Sequence, residues 1–283
     1  KVMGPAVEIS GGSAANTMVG IASLGGKSAF IGKVAEDDFG KIFAHDIRAT
    51  GIDFDVPARP GQPSTARCLI LVTPDAQRTM NTFLGAAQFL PETAIDKAKI
   101  EGAAWLYLEG YLWNAPESRA AMTGAIAIAK NAGRKVALTL SDAFVVEGHR
   151  DEFFALMDDG SLDLLFANDT EVRAMMQTDD TEAAVAALAA RVPMLVCTHG
   201  AAGAEAHRGD GHARVSAEKV ERVVDTTGAG YLFAAGVFAG IAQERSLKDC
   251  LTMGAVCAAE VISHYGARPE ADIRKLVAER LAS

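Results

Sequence analysis

Asp225-Thr-Thr-Gly-Ala-Gly-Tyr231, followed at once by a long run rich in alanine, glycine and phenylalanine, decides how the rest of this chain is read. Two glycines flank an alanine between a Val-Val pair and a helix-forming stretch. Such a loop turns its backbone N–H groups toward one point, and the helix adds its own free donors and the positive end of its dipole there. Without a Cβ at Gly228 or Gly230, an anion approaches the backbone closely. The segment is built to hold phosphate, or charge developing on phosphate.

The 283 residues are 49% hydrophobic and 22% charged, the composition of a folded domain with a large core. No apolar run approaches the ~20 residues of a transmembrane helix, and the start, Lys1 to Pro5, has no apolar signal-peptide core. The net charge of −9 carries no block of one sign, which disfavours nucleic acid polymers and anionic membranes while leaving nucleotides open as ligands. Cys68, Cys197, Cys250 and Cys257 have no Cys-x-x-Cys spacing and read as buried free thiols, which points to a cytoplasmic location.

Strand and helix patterns alternate along the chain. Helix-like spacing covers residues 13–24, 39–50, 116–132, 150–157, 170–176, 181–190, 230–242, 247–265 and 269–281. Strands are expected at 28–34, 104–108, 135–140, 163–167 and 194–198, with a short apolar run at 6–9. Two hairpins are expected, one from 66–73 and 78–84 and one from 204–207 and 213–216. Alternation of this kind implies one α/β domain with a mostly parallel sheet covered on both faces. The hairpin near 64–85 breaks the rhythm and is expected to project as a lid, with 57–90 contributing to it.

Three further segments carry chemistry. Gly11-Gly12 precedes Asn16 by a helical turn, an arrangement that reads as an ordinary strand-to-helix turn or as a contact for vicinal hydroxyls. Asn168-Asp-Thr-Glu171 follows a strand; it reads as a capping box or as carboxylate chemistry toward hydrated Mg²⁺. Thr198-His-Gly200 lies at a strand's carboxyl end, where open parallel sheets bind ligands; His199 there reads as a bystander.

Together these segments resemble the two signatures of the ribokinase (phosphofructokinase B) family of small-molecule kinases. Gly11-Gly12-x-x-x-Asn16, followed by Gly32 and by Asp38-x-Gly40, is similar to the first; Asp225 to Gly230 is similar to the second. The resemblance implies a ribokinase-like three-layer sandwich with a small β-sheet lid, spanning residues 1–283 as one domain. It also implies a first strand and more of the lid ahead of the glycine pair, carrying an Asp for the acceptor's hydroxyls; that part is expected to be missing here. Gln77 to Leu84, Glu109 to Leu112 and Leu138 to Phe144 look like the adenosine kinase branch.

From the resemblance, ATP and Mg²⁺ are the implied ligands, with K⁺ as an option, and a nucleoside or sugar is the acceptor. Gly12, Asn16 and Tyr111 would hold the acceptor, Tyr111 alternatively being core packing. Arg78, Asn168, Glu171, Thr198, Gly200 and Thr226 would face ATP, Glu171 through metal-bound water. Asp225 and Thr227 would hold a monovalent cation or cap the loop. Gly228, Ala229 and Gly230 would stabilise charge in transfer. The family's second signature ends in Asp, the base that takes the acceptor's proton; at that position this chain has Tyr231. A phenol with a reference pKa of ~10 stays protonated at neutral pH, so slow turnover is expected. The readings in competition are an adenosine kinase impaired at its base, a ribose or fructose kinase, and a nucleoside-binding protein without transfer activity. A nicotinamide-dependent Rossmann enzyme is disfavoured because no Gly-x-Gly-x-x-Gly follows an initial strand. A monomer or homodimer is expected.

Overall fold

The computed structural model describes residue 4 and residues 6–282. The polar start from Lys1 to Pro5 therefore lies outside the described residues, apart from Gly4. In chain order the elements are α1 (Ser13–Ser23), α2 (Asp38–Ala49), β1 (Arg67–Val72), β2 (Arg78–Phe83), α3 (Lys97–Gly102), β3 (Trp105–Glu109), α4 (Pro116–Asn131), β4 (Lys135–Thr139), α5 (Ala143–Asp158), β5 (Leu164–Asn168), α6 (Asp169–Met176), α7 (Thr181–Ala189), β6 (Met194–Thr198), β7 (Ala204–Arg208), β8 (Gly211–Val215), α8 (Ala229–Ala242), α9 (Leu247–Val261) and α10 (Ile273–Ala282).

Strands β3 to β8 lie side by side in chain order, β3 to β6 parallel and β7 and β8 antiparallel at one edge. Side chains alternate across the sheet as the strand period of two requires. Val136 and Leu138 of β4, Leu165 and Ala167 of β5, and Leu195 and Cys197 of β6 join one buried cluster with Val145, Phe153, Val172 and Leu188. Their neighbours Ala137, Leu164, Phe166, Met194 and Val196 join the other, against Phe233, Val237 and Leu251. Helices α4 to α7 thus cover one face and α8 and α9 the other. This is a three-layer ribokinase-like sandwich. Helix α8 approaches α9 closely because Gly236 has no side chain; a Cβ there would sit 2.5 Å from the Met253 carbonyl oxygen.

The β1–β2 hairpin stands apart as a two-stranded antiparallel sheet, with nearly every residue exposed or half-exposed. Three expectations need correction. Residues 28–34 form no strand: the segment meets 53–59 only at the isolated bridges Ala29–Asp53 and Ala35–Arg59. Residues 6–9 are likewise without strand pairing. Helix α5 begins at Ala143 rather than 150, because Asp142 caps it by accepting from the Phe144 N–H; the kink at His149, with φ −135°, masked the continuous pattern. Cys68 also departs from the buried thiols, lying half-buried on the lid. No helix among the described residues is long and apolar enough to cross a membrane.

Candidate active site

The anion loop is fixed by its own backbone. Gly228 adopts φ +94°, and a Cβ there would meet Ala267 Cα at 2.8 Å, so both conformation and packing require glycine. Gly230 differs: it is exposed, and a Cβ would meet nothing within 4 Å. Ala229 and Gly230 open α8 with their N–H groups in its first turn. The buried Asp225 ties the loop to a second turn, accepting from Thr227 N at 2.9 Å and Gly266 N at 3.1 Å. Both carboxylate oxygens are thereby engaged in capping. The buried Thr227 hydroxyl has no partner.

The lid reaches this loop directly. Arg78, at the start of β2, donates from its guanidinium to the Thr226 hydroxyl, a contact between residues 148 apart in sequence. Lid and anion loop therefore meet at this contact, which brings a guanidinium to the loop.

At the ends of β5 and β6 the structure assembles the polar edge. Asn168 caps α6, accepting from the Thr170 and Glu171 N–H groups at 2.9 and 3.0 Å; Glu171 returns the contact by accepting from Asn168 N at 3.1 Å and Nδ2 at 2.6 Å. The capping box is real. It also leaves a buried carboxylate among acidic neighbours: burial first, then Asp142 and Glu109, raise the Glu171 pKa to about 7. A carboxyl that holds its proton near neutrality because of burial first and like charges second is chemically suited to a divalent cation, reached through water since its oxygens already face Asn168. Thr198 ends β6, and Gly200, at φ +54°, opens the short turn after it. His199 is held between Asp169 and Glu205, with Nδ1 2.5 Å from Asp169 Oδ1 and Nε2 2.9 Å from Glu205 Oε1. Both of its ring nitrogens are thus occupied by these partners.

The acceptor side holds a cluster that the sequence did not announce. Glu109 ends β3, is buried, and accepts from the Tyr107 hydroxyl at 3.0 Å and the Ser141 hydroxyl at 3.3 Å. Burial raises its pKa to about 7. Ser141 has the positive φ of 71°, uncommon for a residue with a side chain; its hydroxyl offsets the strain by also accepting from Gly110 N at 2.9 Å. Asn16, on the first turns of α1, is buried with its side-chain oxygen unpartnered, a free acceptor at the Gly12 turn, where φ is +110°. An orphan oxygen of that kind is costly unless a ligand donates to it.

Tyr231, in the first turn of α8, completes this side. Its half-buried phenol lies beside that of Tyr111, and its ring packs against the cluster of Leu232, Met253 and Val256. Burial first, then Tyr111 and Glu109, hold the Tyr231 phenol well above its ordinary range, against the opposing charge of Arg78. Tyr111 is likewise raised to about 12, chiefly by burial. Two neighbouring phenols thus stand at the head of the anion helix, where the resembled signature ends in Asp. Glu109, Ser141 and Tyr107 escaped sequence reading because nothing local marks them. A glutamate closing an otherwise apolar strand was the available signal.

The sequence pattern of the pfkB family of carbohydrate kinases matches residues 6–274. The chain belongs to that family. It is therefore related to ATP-dependent phosphotransferases acting on small sugars or nucleosides. The adenosine kinase from Sinorhizobium meliloti is 44% identical, with a TM-score of 0.95, over 99% of this chain and 85% of that one. The "probable sugar kinase protein" from Rhizobium etli CFN 42 is 42% identical, with a TM-score of 0.95, over 98% of this chain and 84% of that one. Among curated proteins, the fructokinase of Klebsiella pneumoniae is 27% identical over 279 residues, covering 93% of this chain and 89% of its relative.

Proposed function

We propose that this chain is an ATP-dependent nucleoside kinase of the pfkB family, directed at adenosine and impaired at the step that removes the acceptor's proton. The observation that carries the reading is Tyr231 itself, a half-buried phenol in the first turn of the helix that follows the anion loop, packed against Leu232, Met253 and Val256. A phenol held protonated by burial does not accept a proton at neutral pH, and general-base help is typically worth ~10²–10⁴-fold. The remaining machinery is positioning and charge, which such catalysis mostly needs.

The roles follow from the geometry. The N–H groups of Ala229 and Gly230 face charge that develops on the transferred phosphoryl, and Arg78 brings a fork of donors to the same loop from the lid. Asn168 and Glu171 would hold Mg²⁺ through its water, and the ion, when bound, neutralises charge on the phosphate oxygens. Thr198, Gly200 and Thr226 line the nucleotide side. Asn16 and Gly12 face the acceptor, with the free Asn16 oxygen accepting from a ribose hydroxyl and the Tyr111 ring offering a face to a purine. Asp225 fastens the loop, while the unpartnered Thr227 hydroxyl is the donor left for a monovalent cation such as K⁺.

The 44% identity to an adenosine kinase favours adenosine. The fructokinases at lower identity favour a second reading, a hexose or ribose acceptor in the same place. The test is ATP-dependent phosphorylation of adenosine, ribose and fructose by the chain and by Tyr231→Asp, side by side. Adenosine turnover that appears or rises steeply only with Asp supports the proposal. Equal turnover by both forms refutes the account of the base. A preference for fructose or ribose moves the second reading ahead, and ligand binding without ADP release from either form indicates a binding protein.

A further inference from the structure

The hairpin of β7 and β8 reads Glu205-Ala-His-Arg-Gly-Asp-Gly-His-Ala-Arg214, with the turn at Gly209-Asp210. Ala204 and Ala206 pack into the cluster beneath α8 and α9. Strand alternation therefore sends Glu205 and His207 to the opposite face. The register completes the set, because His207 stands opposite His212 and Glu205 opposite Arg214.

The two histidines converge on one atom. His207 Nε2 lies 3.1 Å and His212 Nε2 3.0 Å from the same Glu205 oxygen, Oε2, with the imidazole centroids 4.4 Å apart. One ligand atom from each of the three residues falls within 4.8 Å of the other two. The His212 side chain is 49% exposed and that of Glu205 only 9%, so the group has a rigid floor and an open mouth. Two imidazole nitrogens and a carboxylate oxygen, with one side open to water, form the donor set of a borderline divalent ion.

We propose that Glu205, His207 and His212 form a binding site for a divalent transition ion of the zinc class, separate from the phosphate site. Each neutral imidazole would coordinate through Nε2 with its proton on Nδ1, giving up its hydrogen bond to Glu205, and water would complete the shell. The other carboxylate oxygen, Oε1, is already held by His199 Nε2 at 2.9 Å and Arg214 at 3.3 Å, the outer contacts that orient a ligating carboxylate. A neighbouring trio, Asp169, Cys197 and His199, is equally close-set. It is the poorer site, because both His199 nitrogens are bonded and Cys197 is fully buried. The inference does not depend on which acceptor the kinase site takes.

The test is calorimetric titration of the full chain with Zn²⁺ in the presence of excess Mg²⁺, paired with Co²⁺ absorption spectroscopy. One ion per chain is expected. His207→Ala and His212→Ala should each weaken binding by at least about tenfold, and the double variant should bind no ion at this affinity. Co²⁺ should give visible bands without sulfur-to-metal charge transfer. Thermal melts with and without Zn²⁺ provide a second reading, with a rise in Tm expected for the original chain but not for the double variant. His207→Gln and His212→Gln serve if the alanine forms do not fold. Binding that persists in the double variant, that vanishes instead with Cys197→Ser, or that shows a sulfur charge-transfer band overturns the assignment. So does an original chain that binds no more tightly than the double variant.

Discussion

The two sides of the kinase site are built differently. On the phosphate side the decisive contacts are short in sequence: Asn168 with Glu171 three residues on, and Asp225 with Thr227 two residues on. On the acceptor side they are long: Ser141 to Glu109 across 32 residues, with Tyr111 and Tyr231 brought together from different layers. On the phosphate side only the lid's Arg78, 148 residues from Thr226, and Gly266, bonded to Asp225, come from far away. Local contacts form whenever the strand–turn–helix forms, so the phosphate side follows from the fold itself. The acceptor side exists only after tertiary packing, and one substitution in it changes the chemistry without disturbing the scaffold.

The largest expected effect breaks that contrast at its centre. Tyr231→Asp should raise kcat for the phosphorylated acceptor by ~10²–10⁴-fold, measured as ADP release. Tyr231→Phe is the sharper companion. It removes the hydroxyl beside Tyr111 and should leave kcat where the tyrosine form has it, because the phenol acts as a filler rather than a base. A fall in kcat with Phe would mean that the phenol pair itself handles the proton.

Arg78, on the lid, and Asn168, in the scaffold, both serve the phosphate side, and their variants separate lid from scaffold more gently. Arg78 sits on an exposed strand and donates a charge-assisted bond, a class worth roughly 1.5–3 kcal/mol. Arg78→Ala should lower kcat/KM by about tenfold to a hundredfold while leaving Tm unchanged. Asn168→Ala removes a helix cap, which typically costs ~1 kcal/mol of stability, so it should depress Tm as well as rate. Equal Tm losses in both variants would show the lid to be part of the folding unit rather than an attachment.

The same contrast governs what could be read before the structure. The alternation of strands and helices, the exposed hairpin and the anion loop are local patterns, and their elements appear within a few residues of expectation. The segment 28–34 fails because its apolar run resembles a strand while its partner, 53–59, bonds to it only at two separated bridges. The start of α5 fails because a kink at His149 interrupts a helix whose true cap, Asp142, lies seven residues earlier. Around the candidate site, the capping box of Asn168 with Glu171, the cap at Asp225 and the glycine turn at Gly228 were legible from spacing, while roles toward ligands rested on the resemblance. Glu109 and Ser141 were not, since a buried carboxyl at a strand end acquires meaning only when Tyr107 and Ser141 are brought to it.

The smallest expected effect is a slope, and it tells the two sides apart in one experiment. Glu109 and Glu171 are both raised from an ordinary value of 4.5 to about 7. Each favours the folded state in its protonated form, so its contribution is fully present below pH 4.5 and is lost as pH rises toward 7. Stability should therefore decline across that window, and Glu109→Gln, which keeps one accepting oxygen, puts an NH2 donor in place of the other and cannot ionise, should flatten part of the decline. The gap in Tm between Glu109→Gln and the original chain should widen in favour of Gln as pH rises from acid to alkaline. Saturating Mg²⁺ with a nonhydrolysable ATP analogue should relieve the Glu171 share, because a cation near that carboxylate favours its ionised form. What remains of the slope then belongs to Glu109, on the acceptor side, and should disappear in the Gln variant. A slope that Mg²⁺ abolishes entirely would mean that the two carboxyls titrate as one group and that the division between the sides is not electrostatic.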